Sequence, residues 1–378
     1  MLKRLIPIAA AAVLAASGPA ARADLGPPAT PVETGYLKGA QFAIATPPHK
    51  WNGRLLLLAH GYRPDTAPLI ADLHPDRASL RAALDGGWIV ATTSYRRNGV
   101  IISDAIADLD ALRAYIAQEY GEPERTILEG ESTGGLIVTI MAERELTAYS
   151  GAIAFDATLY IKELNGQVGL SLLPRIPLLF VATEREAVQA KGYLTALVAR
   201  PEPVVPPALF LIGREGHTNI NQPEHLEAFA AMNAWIERGA GALPAPKDQA
   251  PYFDATVAPD PGPSTAAVDP AARTIGTRVA EVDAVYGNVL LEAQAADFEG
   301  AHIPPMTYCT VQVGDKAFRT LYGRTYSDVK KDGWVAFPDA DGRTVLAQVG
   351  GNAVAAAGLA VGTEVKLTAV LPTNAPSR

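Results

Sequence analysis

The chain has 378 residues, 48% of them hydrophobic and 19% charged, enough for two domains or for one large domain with an appendage. Its formal charge is −8, and setting aside Lys3, Arg4 and Arg22 leaves 29 basic against 40 acidic residues, a net charge of −11. That balance argues against nucleic acid or an anionic membrane surface as the partner. With Cys309 as the only cysteine, an intramolecular disulfide is excluded and the core must carry the stability.

Met1 to Ala23 combines a basic start, an apolar run from Leu5 to Ala16 and the ending Ala21-Arg22-Ala23. It is expected to be a secretory signal peptide, which makes the mature protein periplasmic or secreted, with no membrane anchor after cleavage. A Pro-rich leader, Gly26 to Pro31, precedes a short strand at Gln41–Ala45 and a break at Pro47-Pro48. Arg54–Ala59 is a continuous apolar run, as expected of a strand buried on both faces, and it leads into His60-Gly61-Tyr62. The pattern predicts a helix from Asp76 to Leu84, ended by Gly86-Gly87, and a second buried strand from Trp88 to Ser94. That strand opens into the loop Tyr95–Gly99.

Ile102, Ala105, Ile106, Leu109, Leu112 and Ile116 recur at helical spacing, with Gly121 as the stop. Then comes Thr126-Ile127-Leu128, a strand, followed by Gly130-Glu131-Ser132-Thr133-Gly134-Gly135 and the buried helix Leu136–Glu143. Further strands are expected at Ala152–Phe155, Pro177–Ala182 and Ala208–Ile212. An amphipathic helix from Pro223 to Arg238 has proline at its start and Gly239 after its end. Buried strands alternating with helices predict an α/β fold, with a mainly parallel sheet covered on both faces over residues 24–243.

From 244 to 270 recurring prolines predict a stiff, extended linker. Beyond it the periodicity becomes short and alternating. Turn signals stand at Tyr286-Gly287-Asn288, Val313–Lys316, Lys331-Asp332-Gly333 and Asp341-Gly342, so residues 271–372 read as all-β, a small barrel or sandwich.

Strand, G-x-S-x-G, helix is the arrangement in which a serine sits exposed on a strained turn at the top of a parallel sheet. A serine hydroxyl needs a base to take its proton and a third group to orient that base. Of the six histidines, His217 follows a late buried strand on the short loop Gly213–Asn219, and it is the expected base for Ser132. The acid should lie between the two in sequence. Glu186, after the penultimate strand, is preferred, with Glu184 next and Asp156 third; Glu143, Glu145, Glu163, Glu202 and Glu215 are set aside by position. The Thr133 and Tyr62 amides are expected to form the oxyanion hole. Tyr62, Tyr95 and Tyr160 are candidates to line a pocket friendly to aromatic groups.

On the His60-Gly61-Tyr62, Gly130–Gly135 and Gly216-His217-Thr218-Asn219 segments, residues 24–239 resemble the serine esterases of the α/β-hydrolase superfamily. The resemblance implies a Ser132–His217–acid triad, an acyl-enzyme, and neither cofactor nor metal. Tyr286-Gly287-Asn288, Arg324–Val329, Gly351-Asn352-Ala353 and Gly358–Gly362 resemble the C-terminal barrel of the S-adenosylmethionine hydroxide adenosyltransferases. Places that carry Asn-Ser and a glutamate for the ligand in that family hold Asp339-Ala340 and Val345 here, and the family's N-terminal catalytic domain is absent. The resemblance therefore implies an oligomerising or site-capping role rather than adenosyl chemistry, with a homo-oligomer, a trimer by analogy. The combined expectation is an exported serine carboxylesterase for a small-molecule or polymeric ester, including aromatic, feruloyl or polyester-type substrates. A serine peptidase or amidase, a non-catalytic oligomeric binding protein and an adenosyl-ligand binder are the rival readings.

Overall fold

The computed structural model describes residues 30–144, 148–161, 169–244, 252–257, 259 and 261–370. The expected signal peptide, Glu145 and Glu163 lie outside them. The first of two sheets has nine strands: β1 (Val32–Leu37), β2 (Ala40–Ala45), β3 (Arg54–Ala59), β4 (Ile89–Thr93), β5 (Arg125–Glu131), β6 (Gly151–Phe155), β7 (Leu178–Thr183), β8 (Ala208–Ile212) and β9 (Tyr252–Asp254). Their order is β1-β2-β4-β3-β5-β6-β7-β8-β9. The β1–β2 and β2–β4 pairings are antiparallel and all others are parallel.

Helices α1 (Ala78–Asp85), α2 (Ile102–Glu119), α3 (Thr133–Ala142), α4 (Ala187–Leu197) and α5 (Gln222–Arg238) run between or after these strands. Leu55 and Leu57 join one apolar cluster with Ile102, Leu109 and Leu112 of α2. Leu56 joins a second with Leu84, Met232 and Trp235 of α1 and α5. Alternate residues of one strand thus feed cores on opposite faces, which is why the strands read as unbroken apolar runs. The α5 helix starts with a full capping box between Asn221 and Glu224, has a proline in its first turn and stops at Gly239.

Two elements were not expected from the sequence. The β1 strand alternates between exposed and half-buried residues and pairs as a hairpin with β2, and α4 carries only three fully buried residues, Ala187, Ala190 and Tyr193. Weak patterning of this kind gives little signal in one dimension. The stretch expected as a free linker contributes β9, which extends the parallel sheet beside β8, so part of it is built into the catalytic layer.

The second sheet holds β10 (Ala267–Asp269), β11 (Thr274–Val282), β12 (Val289–Gln294), β13 (Thr307–Val313), β14 (Lys316–Tyr322), β15 (Trp334–Pro338), β16 (Arg343–Gln348) and β17 (Glu364–Ala369). The order β11-β12-β16-β15-β14-β13-β17 closes through a β11–β17 pairing into a seven-stranded barrel. Of the two expected forms, barrel or sandwich, closure selects the barrel and removes the open edges of those strands. Ile275, Leu291, Phe298, Val311, Leu346 and Leu367 fill its interior.

The barrel is tied to the first sheet at three points. Glu281 lies 3.5 Å from Arg77 and 3.6 Å from Arg343. The Asp341 carboxylate accepts from the Gln222 amide at 2.7 Å. The Tyr286 hydroxyl donates to the Tyr62 carbonyl.

Candidate active site

The β5–α3 junction places Ser132 at the N-terminus of α3 with φ 54° and ψ −117°, a left-handed conformation that costs a non-glycine residue about 1–3 kcal/mol. Surrounding bonds hold it there: the Ser132 amide donates to Phe155 O at 2.9 Å, and its carbonyl accepts from the Thr158 amide at 3.0 Å. The turn also needs glycine on both sides. A Cβ on Gly130 would stand 2.3 Å from Gly134 O, and one on Gly134 would stand 2.0 Å from Ala59 O.

His217 follows β8 and turns back across the end of the sheet. Its Nε2 is 2.7 Å from Ser132 Oγ, so the hydroxyl donates when the ring carries its proton on Nδ1. Glu186 Oε1 lies 3.4 Å from that Nδ1, outside ideal hydrogen-bond length. Such contacts often tighten only when substrate is bound. Glu186 is the N-cap residue of α4 and is 23% exposed, against 42% for His217. Glu184 is exposed.

Asp156 performs a different task. Fully buried and itself at positive φ, it accepts from the Thr183 amide at 2.8 Å, the Thr183 hydroxyl at 3.1 Å and the Thr218 amide at 2.7 Å. Thr183 Oγ1 also donates to Gly216 O at 2.9 Å. The Asp156–Thr183 pair therefore grips the residues on either side of His217. Burial pushes the Asp156 carboxyl up to about 6, against the backbone hydrogen bond from Thr183 and the nearby His217, which both lower it.

The loop after β3 passes close to the nucleophile: a Cβ on Gly61 would lie 3.2 Å from Ser132 Cβ and 3.8 Å from its Oγ. Ahead of it, the His60 ring donates from Nδ1 to Gly61 O at 2.7 Å and packs against Tyr95 with centroids 3.9 Å apart. Burial, with help from Arg63, pushes His60 down to about 3, so the ring stays neutral at ordinary pH. Tyr62 follows, 47% exposed, with its carbonyl held by Tyr286 of the barrel.

Beside Ser132 lies a pocket of about 230 Å³, open to solvent and lined by His60, Gly61, Arg63, Tyr95, Asn98 and Thr133 among others. Of the three tyrosines expected to line such a pocket, Tyr95 does so. Tyr62 and Tyr160 are exposed and do not border it. The lining is more polar than an aromatic-friendly site requires.

Residues that sequence reasoning missed are Thr158, whose Oγ1 is 3.2 Å from Ser132 Oγ, the Thr183–Thr218 clamp on the His217 loop, and Tyr286. The contact between Tyr286 and Tyr62 spans 224 positions, and no local pattern announces it. Among the described residues, no group of three or more His, Cys, Asp or Glu could hold a metal ion, and no helix is long and apolar enough to cross a membrane.

No curated protein matches the sequence. Among solved structures, the chain is similar to the acylaminoacyl peptidase of Pyrococcus horikoshii, at 15% identity over 60% of this chain and 43% of that one, with a TM-score of 0.42. It is similar to a hyperthermophilic esterase of Pyrobaculum calidifontis at 13% identity, over 56% of this chain and 85% of that one, with a TM-score of 0.38. An uncharacterized conserved protein of Thermotoga maritima is 22% identical over 28% of this chain and 40% of that one, with a TM-score of 0.26. The chain thus spans less than half the length of the peptidase and of the Thermotoga protein. The nine-stranded, mainly parallel sheet with helices on both faces is the fold of the α/β-hydrolases, and residues 277–366 match the SAM hydroxide adenosyltransferase C-terminal domain.

Proposed function

We propose that the protein is an exported serine carboxylesterase. The observation that carries this reading is the 2.7 Å contact of His217 Nε2 with Ser132 Oγ, on a serine strained to positive φ at the head of α3. In the proposed reaction Ser132 Oγ attacks the ester carbonyl while His217 takes its proton. The tetrahedral oxyanion forms against the Thr133 and Tyr62 amides, aided by the positive end of the α3 dipole. His217 then returns the proton to the leaving alcohol, and water cleaves the acyl-enzyme by the same steps in reverse. Glu186, 3.4 Å from Nδ1, stabilises the imidazolium and holds its tautomer. Asp156 keeps the His217 loop in place.

The test is a fluorophosphonate probe together with matched p-nitrophenyl butyrate and butyryl-anilide substrates. Wild type labels at Ser132 and turns over the ester much faster than the anilide, and Ser132→Ala abolishes both labelling and turnover. Full ester turnover by Ser132→Ala refutes the mechanism, and faster anilide cleavage moves the reading to an amidase. Export and assembly belong to the same proposal and rest on the residue pattern of Met1–Ala23 and on the barrel resemblance. Cell fractionation and the solution mass of the mature chain check them.

A further inference from the structure

The pocket beside Ser132 contains an imbalance of hydrogen-bonding groups. Three buried side-chain atoms on its lining residues have no partner: His60 Nε2, Asn98 Oδ1 and Thr133 Oγ1. Orphaned atoms of this kind are uncommon in folded proteins and each calls for a reason. Two of the three are acceptors whose orientation is already decided by other bonds. His60 Nδ1 must carry the ring proton to donate to Gly61 O, which leaves Nε2 as a bare lone pair. Asn98 Nδ2 donates to Ala67 O at 2.8 Å, which leaves Oδ1 on the other side of the amide. Asn98 is 9% exposed and Thr133 3%, so bulk water does not satisfy them.

Two acceptors and a hydroxyl ask for a donor. The lining also contains Arg63 and Arg97 and no carboxylate, which disfavours an ammonium group. Arg63 is 5% exposed and donates to Ile70 O at 2.6 Å; among the described residues no carboxylate lies within ion-pair distance of it. A carboxylate ligand would gain from Arg63 but would face His60 Nε2 and Asn98 Oδ1 with no proton to give them. A hydroxyl does both jobs, accepting from a guanidinium and donating to an acceptor. The volume of about 230 Å³ suits a short chain. The wall formed by Gly61 and Thr133 flanks Ser132, so the group docked there is the acyl part of an ester.

From this balance we infer that the pocket selects short acyl groups bearing a hydroxyl close to the ester carbonyl, so that the substrates are hydroxyacyl esters. The inference rests on the serine-esterase reading and adds a substrate class to it. Asn98 and His60 are then specificity residues: they recognise the acyl hydroxyl and take no part in bond making.

The experiment compares p-nitrophenyl esters of butanoic, 2-hydroxybutanoic, 3-hydroxybutanoic and succinic acids on the full-length mature protein, corrected for spontaneous hydrolysis. One satisfied buried hydrogen bond predicts kcat/KM about tenfold higher for a hydroxybutanoyl ester than for butanoyl. Asn98→Leu brings that ratio close to one, and fluorophosphonate labelling of the variant shows that its site is still assembled. A ratio near one in wild type, with Ser132 labelled, means that the orphan atoms hold only an ordered water, and it overturns the inference while leaving the esterase reading intact. Preference for the succinyl ester overturns it in favour of anion recognition by Arg63. Absence of turnover on all four esters, with Ser132 unlabelled, overturns the esterase reading and this inference with it.

Discussion

Two carboxylates converge on the His217 loop, and removing their charges one at a time should have opposite signatures. In Glu186→Gln the side chain keeps its size and loses the charge that faces Nδ1 at 3.4 Å. At that distance a unit charge stabilises a forming imidazolium by about 5 kcal/mol at an effective dielectric of 20 and by about 1 kcal/mol in bulk water. With Glu186 23% and His217 42% exposed, the pair lies between these limits, near 2–3 kcal/mol. That corresponds to a fall in kcat of about a hundredfold. KM should hardly move, because the charge matters most when the ring becomes cationic, and thermal stability should hardly move either. Asp156→Asn should behave in the reverse way. The new amide presents an NH₂ to donors that the carboxylate accepts from, at the Thr183 amide and hydroxyl or at the Thr218 amide. Leaving one buried donor unpaired costs about 1–3 kcal/mol, a fall in Tm of about 4–8 °C for a domain of this size. Steady-state kinetics on an activated ester with parallel thermal melts separate the two. If Asp156→Asn keeps a wild-type melt yet loses a thousandfold in kcat, while Glu186→Gln stays within fivefold, the assignment of Glu186 as the acid is refuted and Asp156 takes its place.

Three more outcomes follow from the geometry. Tyr286→Phe removes the hydroxyl that holds the Tyr62 carbonyl and leaves the ring. Losing one such bond, about 1 kcal/mol, should lower kcat severalfold with KM unchanged, and wild-type kinetics would show that the barrel does not tune the oxyanion loop. Gly134→Ala drives a methyl to 2.0 Å from Ala59 O, so the elbow must shift; activity should be lost with Tm down by several degrees, and a fully active variant would contradict the described turn. Burial, outweighing the Arg343 charge and hydrogen bond, raises the Asp339 carboxyl to about 6. Because its folded value lies above its unfolded one, its contribution is fully present below about pH 4 and is lost as pH rises through about 6. The stability advantage of wild type over Asp339→Asn should therefore shrink by at most about 3 kcal/mol between pH 4 and pH 7 in denaturant titrations, and a constant or growing difference would contradict the shift.

How much of this molecule is legible in one dimension depends on how local the physics is. Buried parallel strands announce themselves because both faces of β3, β5, β7 and β8 meet core, so almost every side chain must be apolar. The turn around Ser132 is legible because its glycines answer a clash that the local backbone path itself creates. The helix α5 is legible from a capping box, a proline and a terminal glycine within one short stretch. For the same reason Ser132 and His217 could be named before their contact was seen: each stands at the end of a recognisable strand on a chain order that the fold requires.

Tertiary structure decided what depends on distance across the fold. Glu184, Glu186 and Asp156 all follow strands, and sequence can rank them but not measure them. Only the packed loop shows Glu186 beside Nδ1, Glu184 out in solvent, and Asp156 buried among backbone amides. The polar lining of the pocket, the orphaned atoms on His60, Asn98 and Thr133, and the grip of Tyr286 on Tyr62 likewise come from residues brought together by the fold from separate loops. Local backbone preferences and burial periodicity are written residue by residue. Hydrogen-bond partnership between loops is a property of the folded whole, and it is there that the specificity of this site is set.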